Sequence, residues 1–309
     1  VDVVTFEFEN IPRSAIEVAE RVCPVHPRGE VLHICQNRER EKTFLRERGF
    51  PHAPFIVVDS EKSLAAAVRE IGMPSVLKTA DFGYDGKGQF KLEGRVDCPD
   101  IWKKFGSPRG VLEKWIPFQT ELSVVVARGR DGKAVAFQPS ENIHRNHILD
   151  LSIVPARFAP EICERAVEVA SAIACALDIT GLLAVEFFLT CEGELMVNEL
   201  APRPHNSGHF TFDACATSQF EQQLRAVCGL PLGSPDLFAP VVMWNLLGDL
   251  WKNGEPDWRV VLAEPRAKLH LYGKAEARPG RKMGHVCILA EVDEALKIIA
   301  DLKNKLGEE

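Results

Sequence analysis

Apolar and polar positions alternate along the chain in short blocks, and their spacing predicts most of its elements. Residues 14–22 (SAIEVAERV) have helical spacing behind Pro12, and the turn-rich CPVHPRGE follows them. A second helix is predicted from an Asn37 cap through REREKTFLRER to Gly49, and a third from Ser60 through EKSLAAAVREI to Gly72. The β-branched runs PFIVVD and SVLKT, bounded by prolines and turn residues, predict strands. TELSVVVARG, an Arg130-Asp131-Gly132 turn and KAVAFQ predict one hairpin; GLLAVEFFLT, a Cys191-Glu192-Gly193-Glu194 turn and LMVNEL predict another. Further helices are predicted at 160–178, 213–228 and 292–305, with GLPLGSPD as a boundary. The opening run Val1–Phe6 is strand-like and reads as the start of a fragment. Strands alternating with helices predict an α/β (α+β) chain.

Composition narrows the function classes. At 309 residues and 46% hydrophobic content the chain can bury a full core. With 37 Lys plus Arg against 44 Asp plus Glu, a formal net charge of −7, its surface is not built to neutralise a phosphate backbone, so nucleic acid is not an expected partner. No apolar run reaches the roughly 18–20 residues of a membrane helix, which predicts no membrane partner. The nine cysteines are scattered without a Cys-x-x-Cys pair, fit a cytoplasmic location, and are expected to be mostly small buried hydrophobes rather than a zinc site.

The second hairpin carries the first chemical signal. With Glu192 and Gly193 as a two-residue loop, Glu186 stands opposite Glu199, on a face shared with Ala184, Phe188, Leu195 and Val197. Opposed like charges about 4.5–5.5 Å apart destabilise a sheet. One carboxylate is then protonated, a cation such as magnesium lies between them, or a neighbouring Arg or Lys neutralises the pair. Asn198 and Arg203, in NELAPRPHNSGHF, are placed to serve the same ligand.

SVLKTADFGYDGKGQF puts Lys78 on a strand ahead of Gly83, Gly86 and Gly88, with Lys87 between them. It is not a Walker loop, but a glycine loop with lysines can close over phosphates; an empty hairpin turn has the same look. VLEKWIPFQTEL supplies Glu113, Lys114, Ile116 and Glu121, which suit an adenine and ribose pocket or an ordinary amphipathic strand. His144 and His147 in HRNH lack a third metal ligand and read as a polar surface or a nucleotide-facing turn, while Arg278, Arg281 and Lys282 form a basic run after YGK. Glu7 and Glu9 share a face near the start of the chain.

In this order, these features resemble the ATP-grasp superfamily, and within it the N5-carboxyaminoimidazole ribonucleotide synthetases. The likeness rests on DVVTFEFENIP, GYDGKGQ, ENIHRNHILDLSIVPAR, GLLAVEFF, NELAPRPHNSGHFTFDACATSQFEQQLRA, NLLGD and LHLYGKAEARPGRKMGH. It implies an ATP-dependent C–N ligase that carboxylates 5-aminoimidazole ribonucleotide with bicarbonate through carboxyphosphate. Magnesium (or manganese) and ATP are the implied cofactor and co-substrate, and a homodimer the implied assembly. Carried over, the resemblance gives Lys78 to the ATP phosphates, Glu113, Lys114 and Ile116 to adenine, Glu121 to ribose, with His144 and Asn198 beside the nucleotide. Glu186 and Glu199 would hold the metal. Arg203 would meet bicarbonate or carboxyphosphate; with Lys78 and Asp85 it is the expected catalytic set. Tyr84, Asp85, His205, Asn206 and Ser207 would contact the imidazole ribonucleotide, and Lys274 and Arg281 its 5′-phosphate.

The implied domains are a remnant of an N-terminal Rossmann-like domain at 1–35, an ATP-grasp domain at 36–235 with a lid at about 52–118, and a small β-rich domain at 236–309. The family's opening Gly-Gly-Gly-Gln-Leu-Gly loop is not in this sequence, so the chain by itself is expected to be weak, unstable or inactive. The alternatives are another ATP-grasp ligase, of the formate-dependent glycinamide ribonucleotide transformylase or biotin carboxylase type, and a non-catalytic nucleotide-binding fragment.

Overall fold

The computed structural model describes residues 1–81 and 88–308. Its helices are α1 (Arg13–Glu20), α2 (Gly29–Cys35), α3 (Arg38–Glu47), α4 (Glu61–Ile71), α5 (Cys98–Phe105), α6 (Pro160–Ala176), α7 (Thr211–Ala214), α8 (Gln219–Val227), α9 (Arg259–Leu262) and α10 (Val292–Leu306). Its strands are β1 (Phe55–Val58), β2 (Ser75–Thr79), β3 (Gln89–Leu92), β4 (Gly110–Lys114), β5 (Phe118–Arg128), β6 (Ala134–Ala136), β7 (Ser140–Arg145), β8 (Ile148–Val154), β9 (Gly181–Thr190), β10 (Leu195–Ala201), β11 (Val241–Leu247), β12 (Ala267–Leu271) and β13 (Lys282–Leu289).

Among the described residues these strands form two sheets, β1-β4-β2-β3 and the nine-stranded β10-β9-β5-β7-β8-β11-β13-β12 with β6 on β5. The named strand pairs are antiparallel, which places the chain at the α+β end of the expected class. α4 and α5 cover the small sheet through Leu64, Ala67, Cys98 and Phe105. On the large sheet, α6 sets Ala166, Ala170, Ile173 and Ala174 against Leu122, Val124 and Val126 of β5 and Val185 and Phe187 of β9. Alanine on that stripe lets the helix axis come close to the strands. β11, β13 and β12 extend the same sheet, and α10 closes them with Ala295, Ile299 and Leu302 over Trp244, Val286 and Ile288.

The hairpin β9–β10 reaches the expected carboxylate pair by an unexpected route. Its loop has three residues, since the Thr190 N–H donates to the Glu194 carbonyl and Gly193 takes φ +80°. Leu195 therefore faces Leu189 and Val197 faces Phe187, both on the core side, which corrects their placement on the carboxylate face. A bulge between Val197 and Glu199 then shifts the register by one, so that Glu199 stands opposite Glu186 and Leu200 returns to the core. Without the bulge, strict alternation would send Glu199 into the apolar layer.

α3 satisfies that bulge. Its buried face carries Arg38, Glu41, Lys42 and Leu45, three of them charged. The Lys42 ammonium donates to the carbonyls of Val197 (3.2 Å) and Asn198 (2.8 Å), and the Leu200 N–H donates to Glu41 at 2.8 Å. Lys42 also lies 3.8 Å from Glu113 of β4, so one side chain ties the two sheets together. Asn37 caps the helix by accepting from the Arg40 N–H, and Gly49 follows its end at φ +73°.

Other expectations need correction. The 213–228 helix is two helices, α7 and α8, because Cys215 is extended and Ser218 caps the second one. The turn-rich CPVHPRGE runs at its last two residues into α2, a helix that was not expected. Val1–Phe6 makes only an isolated bridge, Val4 to Val25. Three cysteines are buried, three are half-buried and three exposed, so most are not core residues; all nine are unpaired. Among the described residues no helix is long and apolar enough to cross a membrane.

Burial pushes the Glu41 carboxyl up from its usual 4.5 to about 8, with Glu199 adding to it and Lys42 and Arg38 opposing. The folded chain then keeps a proton that the unfolded chain gives up near 4.5, so this stability is complete at low pH and is lost as the pH rises through about 8. Glu41→Gln has no proton to lose. Without metal or nucleotide, the wild-type Tm should fall relative to the variant's by about 2 °C or more between mildly acidic and mildly basic buffer. Parallel Tm–pH curves would refute the assignment.

Candidate active site

The two sheets and the basic 274–282 segment enclose a cleft of about 1400 Å³. Lys78, Glu113, Lys114 and Ile116 line it from the small-sheet side, and Glu121, His144, Glu186, Asn198 and Glu199 from the large sheet. The strand-end loop adds Arg203, His205 and Asn206, and the C-terminal segment adds Lys274, Arg278, Arg281 and Lys282. His147 also reaches the cleft from the two-residue turn between β7 and β8, where Asn146 and His147 both take positive φ, as a type I′ turn requires. Tyr84 and Asp85, with Gly83, Gly86 and Lys87, lie outside the described residues. Ser207 is buried behind the cleft, its hydroxyl 2.6 Å from Ser123 and 2.8 Å from His205 Nδ1, so it positions His205 rather than lining the site.

Charge in the cleft is arranged in pairs. Lys78 donates to Glu113 at 3.0 Å, both nearly out of water. Burial would push the Glu113 carboxyl up, but Lys42, Lys78 and Arg38 outweigh it and hold it at about 2. Its side chain is thus committed to lysines, and its backbone lies between β1 and β2. Glu186 meets His205 Nε2 at 3.2 Å, and Glu199 meets Arg38 at 3.5 Å. Burial again works against ionisation of Glu186, yet His205, His144 and Lys282 bring it down to about 2. Each opposed carboxylate therefore has a partner on its flank, the His205 imidazole at Oε1 of Glu186 and the Arg38 guanidinium at Oε2 of Glu199.

Burial pulls the His144 imidazole down, but Glu121 at 3.3 Å and then Glu186 leave it raised overall. Arg203 grips Glu9 with Nε and with Nη2, the latter at 2.9 Å from Oε1. Burial lowers its guanidinium to about 10, which leaves it charged at neutral pH. Behind the floor runs a buried polar relay: Asn142 donates to Ser123 at 2.9 Å and accepts from Ser152 at 2.9 Å, and Ser123 also meets Ser140 at 2.9 Å.

At the basic end, the NLLGD segment is a clamp. A Cβ on Gly248 would lie 2.1 Å from the Arg278 carbonyl oxygen, so only glycine allows this approach. The Gly248 N–H donates to the Arg281 carbonyl at 2.8 Å, and Asp249 accepts from the Gly280 N–H at 2.7 Å. The turn carrying Arg278 and Arg281 is thereby fixed to the end of β11.

Sequence reasoning missed Arg38, Glu41, Lys42 and the serine relay. The signal for the first three was present: on a helix as polar as REREKTFLRE, the face that holds Leu45 repeats at 38, 41 and 42. Glu9 was singled out with Glu7, but its pairing with Arg203 gave no signal, because the two are 194 residues apart in sequence.

The chain matches the family model for the ATP-grasp domain over residues 43–220 and that for the phosphoribosylaminoimidazole carboxylase C-terminal domain over 241–298. It is 45% identical over 304 residues to the N5-carboxyaminoimidazole ribonucleotide synthase of Bacillus subtilis (strain 168), covering 98% of this chain and 79% of that one. A crystal structure of an N5-carboxyaminoimidazole ribonucleotide synthetase in its ADP complex matches with a TM-score of 0.90 at 44% identity, over 97% of this chain and 79% of that one. The Aspergillus clavatus enzyme in complex with ADP and 5-aminoimidazole ribonucleotide matches at 0.88 and 32% identity, over 100% of this chain and 82% of that one. With both domain models in order and the cleft between them, this chain belongs to the N5-carboxyaminoimidazole ribonucleotide synthase family.

Proposed function

We infer that this chain carries out the ATP- and bicarbonate-dependent carboxylation of 5-aminoimidazole ribonucleotide, a step of purine biosynthesis. One observation carries the reading: a single cleft holds an opposed carboxylate pair, a lysine facing it from the other sheet, and a fixed basic turn at its far end. That is the layout for one nucleotide polyphosphate and one separate phosphate-bearing substrate. The C-terminal match favours this reading over the transformylase and biotin carboxylase types.

Roles follow from position. Glu113, Lys114 and Ile116 frame the adenine, and Glu121, steadied by His144, takes the ribose. Lys78 meets the phosphates, its ammonium fixed by Glu113 rather than left to swing. Glu186 and Glu199, with Asn198 beside them, are an oxygen-only donor set that fits magnesium or manganese. When bound there, the metal neutralises charge on the phosphoryl group in transit. Arg203 presents its planar guanidinium to bicarbonate or carboxyphosphate, exchanging Glu9 for the incoming oxyanion. His205, held by Ser207 on one nitrogen and Glu186 on the other, and Asn206 face the imidazole ribonucleotide, whose 5′-phosphate lies against Lys274 and Arg281. The family resemblance also assigns Tyr84 and Asp85 to this substrate; both lie outside the described residues. Catalysis here is positioning and charge neutralisation, and since carboxyphosphate is lost to water, closure of the small sheet over the nucleotide protects it.

The outer face of α8 with its neighbour α7 leaves Phe212 and Leu224 each 58% exposed and Phe220 38% exposed, which supports a homodimer. Nine unpaired cysteines suit a cytoplasmic location.

Phosphate release from Mg-ATP should require both 5-aminoimidazole ribonucleotide and bicarbonate; ATP binding without such release would overturn the carboxylase reading for this chain. Glu186→Gln and Glu199→Gln should each lower kcat by about a hundredfold or more, through lost charge stabilisation. Gly248→Ala should displace the basic turn and raise the KM for the ribonucleotide about tenfold, the cost of one charge-assisted phosphate contact, with the KM for ATP unchanged. Light scattering should give twice the chain mass, and a monomer at working concentration would remove the dimer.

A further inference from the structure

Outside the cleft, on the face of the large sheet covered by α7, lies a cluster that the reaction does not use. His285 and Cys287 are two apart on β13 and so share a face, and His270 of β12 stands directly opposite His285. The two imidazoles stack with ring centroids 4.5 Å apart. Asp213 of α7 accepts from His270 Nε2 at 2.8 Å. One donor atom from each of Asp213, His285 and Cys287 lies within 4.8 Å of the other two.

The decisive detail is the orientation of His285. Tyr272 Oη occupies its Nδ1 at 2.8 Å, which fixes the ring, while Nε2 is buried and has no hydrogen-bond partner among the described residues. The residue is only 5% exposed, and an unpartnered polar atom at that depth costs about 1–3 kcal/mol. The outer nitrogen of a metal-binding histidine is usually held by a hydrogen bond to a carboxylate, a carbonyl or water, and here Tyr272 Oη takes that place.

We propose that Asp213, His285 and Cys287 form a site for a single borderline-soft dication of the zinc type, with His270, which contacts Asp213 and stacks on His285, as a candidate fourth donor. Mixed oxygen, nitrogen and sulfur donors select zinc or cobalt over magnesium. The charges also close: a dication, one carboxylate, one thiolate and a neutral imidazole sum to zero in a buried place. Cys287 would bind as the thiolate, its proton passing to solvent. His270, with 28% of its side chain exposed, marks the way in. The ion would pin α7, just past the segment that carries Arg203 and His205, to β13, which starts at Lys282 of the basic turn.

The absence of a Cys-x-x-Cys pair argued against a cysteine-rich zinc site; it does not bear on a His-x-Cys strand pair completed by a distant aspartate. The test is a cobalt(II) titration of metal-stripped protein with excess magnesium present, so that oxygen-only sites are filled. A thiolate-to-cobalt charge-transfer band should appear, saturate at about one ion per chain and bleach on adding zinc. It should vanish in Cys287→Ser and persist in Cys191→Ser, which removes an exposed thiol. His285→Gln leaves the thiol in place and should weaken cobalt binding at least about tenfold, as the loss of one ligand requires. No thiolate band in the wild type, or a band that survives in Cys287→Ser, overturns the proposal. So does unchanged affinity in His285→Gln.

Discussion

The ammonium of Lys42 is the contact on which the rest of the structure turns. It is fully buried, donates to two carbonyls of the β10 bulge and faces Glu113 of the other sheet. A buried lysine is costly unless each of its hydrogens has a partner, and here the bulge provides two of them. The dependence also runs the other way. The bulge releases backbone groups from the ladder, and unsatisfied carbonyls in an apolar layer would favour the regular register that sends Glu199 into the core. Lys42 and Glu41 remove that preference, so a helix with few apolar residues is held in place by the irregularity it stabilises.

The electrostatics of the cleft follow from this arrangement. Arg38, Lys42 and Lys78 bring three cations to Glu113 and Glu199, while burial leaves Glu41 mostly protonated at neutral pH. The excess is positive: Arg38 and Lys42 hold it on α3 beside the pair, and Lys78 faces the pair across the cleft. Such an arrangement serves a nucleotide polyphosphate well, because the cations offset the repulsion between the carboxylates and the phosphates. A neutral Glu41 is part of the balance, because an ionised one would cancel the excess.

Most elements were legible because their signals are local. Ser60 caps α4 with its side chain, Asn37 caps α3, and the alanine stripe of α6 lies on the sheet as its spacing required. The carboxylate pair was legible for a subtler reason. The loop is one residue longer than expected and the bulge shifts the register by one in return, so two offsets cancel at Glu186 and Glu199 while Leu195 and Val197 fall on the other face. A pairing inferred from spacing can thus be right at one position and wrong at its neighbours. What could not be read is non-local: Glu9 on Arg203, Lys42 between two sheets, and Ser123 behind His205 depend on chain segments that periodicity does not connect.

The basic turn shows how a short motif gains meaning from its surroundings. Arg278, Arg281 and Lys282 alone are a charge run, which on an acidic protein is most simply a solvated face. Gly248 and Asp249 change that, because a glycine in contact with a carbonyl oxygen and a carboxylate on a backbone N–H are arranged to fix the turn. Arginines on a fixed turn lose little freedom when they grip a phosphate, whereas arginines on a loose loop must be ordered first. NLLGD and RPGR are therefore one device separated by some thirty residues of sequence, and a substitution in the first should be felt as weaker binding at the second.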